Sequence, residues 1–220
     1  MVKKIMEKLE IPQPKGQAVT KIEDGKIKAS GYLKYLSENG YHPLYLTSKY
    51  ALKGLFKDNH SLVDINGLVF DGQSSDGNCA YMFQNCINLT NVSNLILGDV
   101  TNEGCTHMFE GCTGLISVRI NVDFSSTDVE PLSYMFKDCK ALTEIDLSDF
   151  ETPAITTTTY MFDGCTNLMK IDMRNFTFDN LTTSSSSRNM FGANVSSYVP
   201  ANCLIIVKDG PQKQWVLNTF

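Results

Sequence analysis

The stretch YMFKDCKALTEIDLSDF, Tyr134–Phe150, decides the fold, because its wording recurs along the chain. The same phrase begins at Phe56 (FKDNHSLVDI), Phe83 (FQNCINLTNV), Phe109 (FEGCTGLISV), Phe136 (FKDCKALTEI) and Phe162 (FDGCTNLMKI), with a degenerate copy at Phe191 (FGANVSS). Successive phenylalanines are separated by 27, 26, 27, 26 and 29 residues. A fixed period between about 20 and 50 residues is the signature of a solenoid or array. Several columns agree at once. Cys follows Phe by three at Cys86, Cys112, Cys139 and Cys165; Leu follows three later at Leu62, Leu89, Leu115, Leu142 and Leu168; Ile or Val follows at Ile65, Val92, Val118, Ile145 and Ile171.

Within one copy, LTEIDL (142–147) alternates after its first residue as a short half-buried strand does. The Gly, Asp and Asn residues around each Cys suit a tight turn. A lone copy has too few apolar side chains to offset the entropy of ordering its backbone, so the copies must stack on one another. The expected architecture is a solenoid with one short strand per turn, the strands forming a parallel sheet about 4.8 Å apart. The core columns are then Phe83, Cys86 and Leu89; Phe109, Cys112 and Leu115; Phe136, Cys139 and Leu142; and Phe162, Cys165 and Leu168.

Phrases such as YMFDGCTNLMKIDMRNF (160–176) resemble the BspA-like leucine-rich repeats of bacterial surface proteins. The resemblance covers about 51–195 and departs in the final copy, where Asn194 replaces Cys. The second half of each unit, as in ETPAITTTT and TFDNLTTSSSS, only approximates the family's wording. The resemblance implies a leucine-rich-repeat-like solenoid without catalytic residues or cofactor, displayed on a surface and used for adhesion or attachment. Similar repeats occur in virion proteins of tailed phages, and the closing NCLIIVKDGPQKQWVLNTF is similar to the strand-plus-helix ending of such versions.

Three regions follow. Residues 1–50 form a small α/β cap or anchor, 51–195 the repeats, and 196–220 a strand-helix cap. In the first, VKKIMEKLEI reads as a short amphipathic helix and AVTKIEDGKIKAS as a hairpin turning at Asp24-Gly25. The stretch GYLKYLSENGYHPLYLTSKYALKGLF is expected to supply one or two helices. In the last, Leu204–Val207 is an apolar strand and Asp209-Gly-Pro211 a helix start, with Trp215, Leu217 and Phe220 placed to close the core. A cap is favoured over an anchor for 1–50 because solenoids need atypical ends.

Composition narrows the function. A net charge of −5 argues against nucleic acid as the main partner, and no apolar run approaches the roughly 18 residues of a membrane helix. The N-terminus has lysines but no apolar core of a secretory signal, which favours a phage virion over an anchored bacterial surface protein. The sequons at Asn59, Asn88, Asn91, Asn175, Asn180 and Asn194 read as uncharged surface.

Seven cysteines cannot all pair within the chain. The column of four recurs once per repeat, a line rather than the tetrahedron that zinc needs, so no metal site is expected and Cys reads as a small apolar spacer. The spacing also allows Cys79–Cys86 or Cys105–Cys112 disulfides, although Leu132 and Thr158 at the equivalent later positions argue against a required bridge. The histidines His60 and His107 occupy different columns, and no hydrolase elbow, phosphate loop or zincin motif occurs, so no catalytic residue is named.

The first, second and fourth residues after each repeat Leu should point outward. The rows are Val63, Asp64 and Asn66; Thr90, Asn91 and Ser93; Ile116, Ser117 and Arg119; Thr143, Glu144 and Asp146; Met169, Lys170 and Asp172. Of these, Asn91, Ser93, Ser117, Arg119, Thr143, Glu144, Asp146, Lys170 and Asp172 are the candidate binding face, suited to a protein or glycan on a cell surface or to neighbouring virion proteins. A merely solvated sheet is the competing reading.

Overall fold

A computed structural model of the chain describes residues 21–23, 26–28, 42–45, 53–65, 68–71, 78–99, 104–123, 132–150, 152, 155–177, 181, 189–192, 202–211, 213, 214 and 216. Two short strands, β1 (Lys21–Glu23) and β2 (Lys26–Lys28), pair antiparallel across Asp24-Gly25, as the hairpin reading expects. All other strands join one seven-stranded sheet: β3 (His42–Tyr45), β4 (Leu68–Asp71), β5 (Asn91–Asp99), β6 (Ser117–Asp123), β7 (Glu144–Asp146), β8 (Lys170–Asp172) and β9 (Leu204–Ile206). Every neighbouring pair is parallel and in chain order. This is the repeat arrangement the period demands, with Ile145 facing Ile171 and Ile205 in one column.

One expectation is corrected. Within the stretch expected to be helical, residues 42–45 are strand and 53–56 are turn. Pro43 accounts for the strand, since proline lacks the donor a helix interior needs and holds His42 extended. The sheet therefore reaches into the first 50 residues. The expected N-terminal helix, and Trp215, Leu217 and Phe220, lie outside the described residues. At the other end Gln214 N–H donates to Gly210 O at 3.1 Å, so a helical turn does begin at Pro211.

Opposite the strands, each repeat makes its own ladder from turns. The N–H groups of Phe83, Phe109 and Phe136 donate to Met108, Met135 and Met161 of the following repeat at 2.8 to 2.9 Å. The chain alternates handedness here: Tyr81, His107, Tyr134 and Tyr160, two before each Phe, have φ between 53° and 59°. Two after Phe, Asp58, Asn85, Gly111, Asp138 and Gly164 are also left-handed. Asn, Asp and Gly tolerate that conformation, which explains their recurrence before each Cys. For Tyr it is unusual, and the rings compensate by stacking: Tyr81 on His107 at 4.9 Å, His107 on Tyr134 at 4.5 Å, and Tyr134 on Tyr160 at 5.4 Å between centroids.

The core repeats with the same period. Phe56, Phe83, Phe109, Phe136, Phe162 and Phe191 form one file of rings with centroids 5.2 to 5.8 Å apart. The Leu column and the Ile/Val column close it from the sheet side, all buried.

Candidate interaction face

The cysteines come first, because they are the chemistry the sequence advertises. All seven are free thiols, so neither of the two disulfides that the spacing allows forms. Cys86, Cys112, Cys139 and Cys165 are buried, and each Sγ donates to the carbonyl of a Phe in the preceding repeat. The pairs are Cys86 with Phe56 O, Cys112 with Phe83 O, Cys139 with Phe109 O and Cys165 with Phe136 O, at 3.0 to 3.1 Å. The column is thus more than a spacer: each thiol ties one repeat's turn to the next. Burial pushes the thiols up, to about 11 for Cys86 and about 12 for Cys79, and well above the ordinary value for Cys139. Thiolates are thereby suppressed. Among the described residues no three His, Cys, Asp or Glu side chains gather as metal ligands, and no helix is long and apolar enough to cross a membrane.

Polar side chains form ladders beside the turns. Glu110 Oε2 accepts from Gln84 Nε2 and meets His107 Nδ1, both at 2.6 Å, and Lys137 Nζ meets Asp163 at 3.1 Å. Burial alone would lower the Lys137 ammonium, but Asp163, Asp138 and Glu110 outweigh it and raise it overall. The Gln84–Glu110 and Lys137–Asp163 contacts join successive repeats along the array, while His107–Glu110 closes within one.

The strand face remains. Register aligns Asp64, Asn91, Ser117, Glu144, Lys170 and Leu204 in one column. Ser117 Oγ donates to Asn91 Oδ1 at 3.0 Å, and Lys170 Nζ lies 3.8 Å from Glu144. Beside it run Val63, Thr90, Ile116, Thr143 and Met169, of which Val63, Ile116 and Met169 are 54%, 46% and 57% exposed. Thr90 Oγ1 donates to Val63 O at 3.4 Å and Thr143 Oγ1 to Ile116 O at 3.1 Å. With their hydroxyls bound to the backbone of the preceding repeat, half-buried Thr90 and Thr143 sit between these apolar residues.

The fourth-position column needs correction. Asp172 is buried rather than outward, with Arg174 donating to it from Nε at 2.9 Å. Asp172 Oδ1 also accepts Arg174 N at 3.3 Å, as Asp146 Oδ1 accepts Ser148 N at 3.0 Å. These side-chain turns end β7 and β8 after three residues. Repeats lacking that Asp, with Ser93 or Arg119 there, run on as the long strands β5 and β6. Burial would raise the Asp146 carboxyl, but the Ser148 hydrogen bonds and Arg119 overcome it and hold it low. Asp172 is therefore a strand terminator withdrawn from the face, whereas Asp146 ends its strand yet stays half-exposed, and the face accessible to a partner consists of Asn91, Ser117, Arg119, Glu144, Asp146 and Lys170 around the apolar stripe. Asn66, from the first of the outward rows, lies outside the described residues. The outward rows of the sequence already contain all five residues of this stripe; what the fold adds is that the hydroxyls of Thr90 and Thr143 are bound to carbonyls of the preceding repeat. A separate cleft of about 380 Å³ lies against β9, lined by Leu204–Val207, Asp209, Lys213 and Val216.

The model of the family described as "Mycoplasma protein of unknown function, DUF285" matches residues 77–198, more than half of the chain. No curated protein and no solved structure matches.

Proposed function

We propose, starting from the fact that the chain belongs to this Mycoplasma protein family, that it is a non-enzymatic binding module of the BspA-like leucine-rich-repeat kind, displayed on a bacterial surface or a virion. The observation that carries the reading is the stripe of exposed Val63, Ile116 and Met169, with half-buried Thr90 and Thr143 between them, beside a mixed-charge column. A protein partner suits it better than a glycan. Sugar rings are commonly held on the faces of aromatic side chains, and this stripe has none. In the file of Tyr81, His107, Tyr134 and Tyr160 the two inner rings are stacked on both faces, and Tyr81 has His107 on one side and the Lys57 ammonium 5.4 Å from its centroid. The competing reading, a virion assembly component docked through residues 1–50, is less favoured because β3 continues the repeat sheet and so serves as its cap.

The test applies fluorescently labelled protein to bacterial and animal cells, each before and after protease or glycosidase treatment. Binding that protease abolishes, and that is lost with a Thr143→Lys/Glu144→Lys double substitution, supports the reading. Absence of binding to any cell, or binding sensitive only to glycosidase, refutes it.

A further inference from the structure

We propose that the partner this strand face takes is a second copy of the chain, in a two-fold pair with the two stripes antiparallel. The proposal rests on the reading of this face as an interaction surface and adds its occupant.

The argument is self-complementarity. Register makes the second-position column a straight file ordered Asp64, Asn91, Ser117, Glu144, Lys170, with exposed Leu204 of β9 following beyond the five residues that pair. A two-fold axis lying in the face, parallel to the strands and through the third repeat, reverses that order while keeping the column opposite itself. Asp64 then meets Lys170 of the second copy, Asn91 meets Glu144, and Ser117 meets Ser117. The outermost positions carry opposite charges and the centre carries none, which is the pattern an isologous contact requires. The stripe behaves likewise: Val63 meets Met169 and Ile116 meets itself, apolar against apolar, while the uncharged Thr90 meets Thr143.

Arg119 is the one charged group brought against its own copy. It lies 3.6 Å from both Asp146 and Asp149 of its own chain, so two guanidiniums would share four carboxylates. Size sets the strength. Five strand positions at about 4.8 Å, each about 16 Å long, outline a patch of roughly 400 Å² on each copy. The pair would bury about 800 Å² in all, below the roughly 1,000 Å² of a stable interface, so a weak, transient dimer that needs high concentration is expected.

Sedimentation velocity of the full chain, from about 5 to about 300 μM, tests this. The wild type should pass from monomer to dimer across that range and no further, since a two-fold contact closes. Asp64→Lys and Lys170→Asp should each weaken dimerisation about tenfold or more, because each places two like charges in contact twice. The double variant D64K/K170D restores opposite charges and should recover most of the loss. Ile116→Arg, at an exposed position, should abolish the dimer with the circular dichroism melt unchanged. A monomeric wild type at 300 μM, or a double variant weaker than either single, overturns the proposal. Cell binding separates the two levels: a monomer whose cell binding is lost with I116R overturns self-pairing but leaves the face with another occupant. A monomer whose cell binding ignores I116R removes both.

Discussion

Cys139 Sγ donates to Phe109 O at 3.1 Å, and the same thiol-to-carbonyl bond recurs between each of the repeats that carry the cysteine. Phe109 O also accepts Cys112 N at 3.1 Å from its own turn, so the carbonyl serves both the turn and the stacking. Replacing Cys139 by Ala removes the donor and leaves a small void, and should cost about 1–3 kcal/mol in urea unfolding. In the native protein the six buried thiols should resist a thiol reagent while half-buried Cys203 reacts slowly, and all seven should react in denaturant. Rapid reaction of several thiols under native conditions would contradict the packing described.

Alkaline pH should destabilise the fold through the same groups. Cys79 is pushed from 9.0 to about 12 by burial. Below about pH 9 both folded and unfolded chains keep the proton, so the contribution is complete. Above it the unfolded chain releases a proton that the folded chain retains, and stability falls as pH rises toward the folded value. For one thiol the slope is about 1.4 kcal/mol per pH unit. Melting curves at pH 8 and pH 10.5 should differ less for Cys79→Ala than for the wild type.

Gly164 shows how one repeat makes room for its neighbour. Its φ is +77°, and an added Cβ would lie 2.5 Å from Asp138 Oδ1. Gly164→Ala should cost about 1–3 kcal/mol, from left-handed strain and the displaced carboxylate together. Adding Asp138→Gly removes the obstruction and relaxes a second left-handed residue, so the double variant should regain part of the loss. Additive losses in chemical unfolding would show that the two positions do not touch.

Thr158 stands where earlier repeats have Cys79, Cys105 and Leu132, and its buried Oγ1 has no hydrogen-bond partner among the described residues. Thr158→Val keeps the shape and removes the unsatisfied hydroxyl. The variant should be more stable by about 1 kcal/mol, read as a raised denaturant midpoint with unchanged slope. A lower midpoint would mean that the hydroxyl is satisfied in solution.

The repeat, its parallel sheet and the buried columns were legible because they depend on periodic burial, and periodic burial is written directly in Phe136, Cys139, Leu142 and Ile145. The turns were half legible. Asn85, Gly111 and Asp138 announce a left-handed residue, whereas Tyr134 in the same conformation does not, since its cost is met by ring stacking with His107 and Tyr160. His42–Tyr45 lies in a stretch expected to supply helices, yet Pro43 works against a helix there and the segment pairs with β4 instead.

By itself, then, the order of residues determined that the chain stacks copies of one unit about 26 residues long, which side chains of each unit are enclosed, and that none of the familiar catalytic motifs is spelled out. Tertiary structure decided what each outward group does. Asp146 and Asp172 share a column with Arg119, yet the first two turn back to end their strands while the third reaches solvent. Thr90 and Thr143 read as polar, yet their hydroxyls are taken by Val63 O and Ile116 O of the preceding repeats. The reason is one of range: burial follows a period carried within each copy, but a hydrogen bond between copies depends on register across some 26 residues, which only stacking sets.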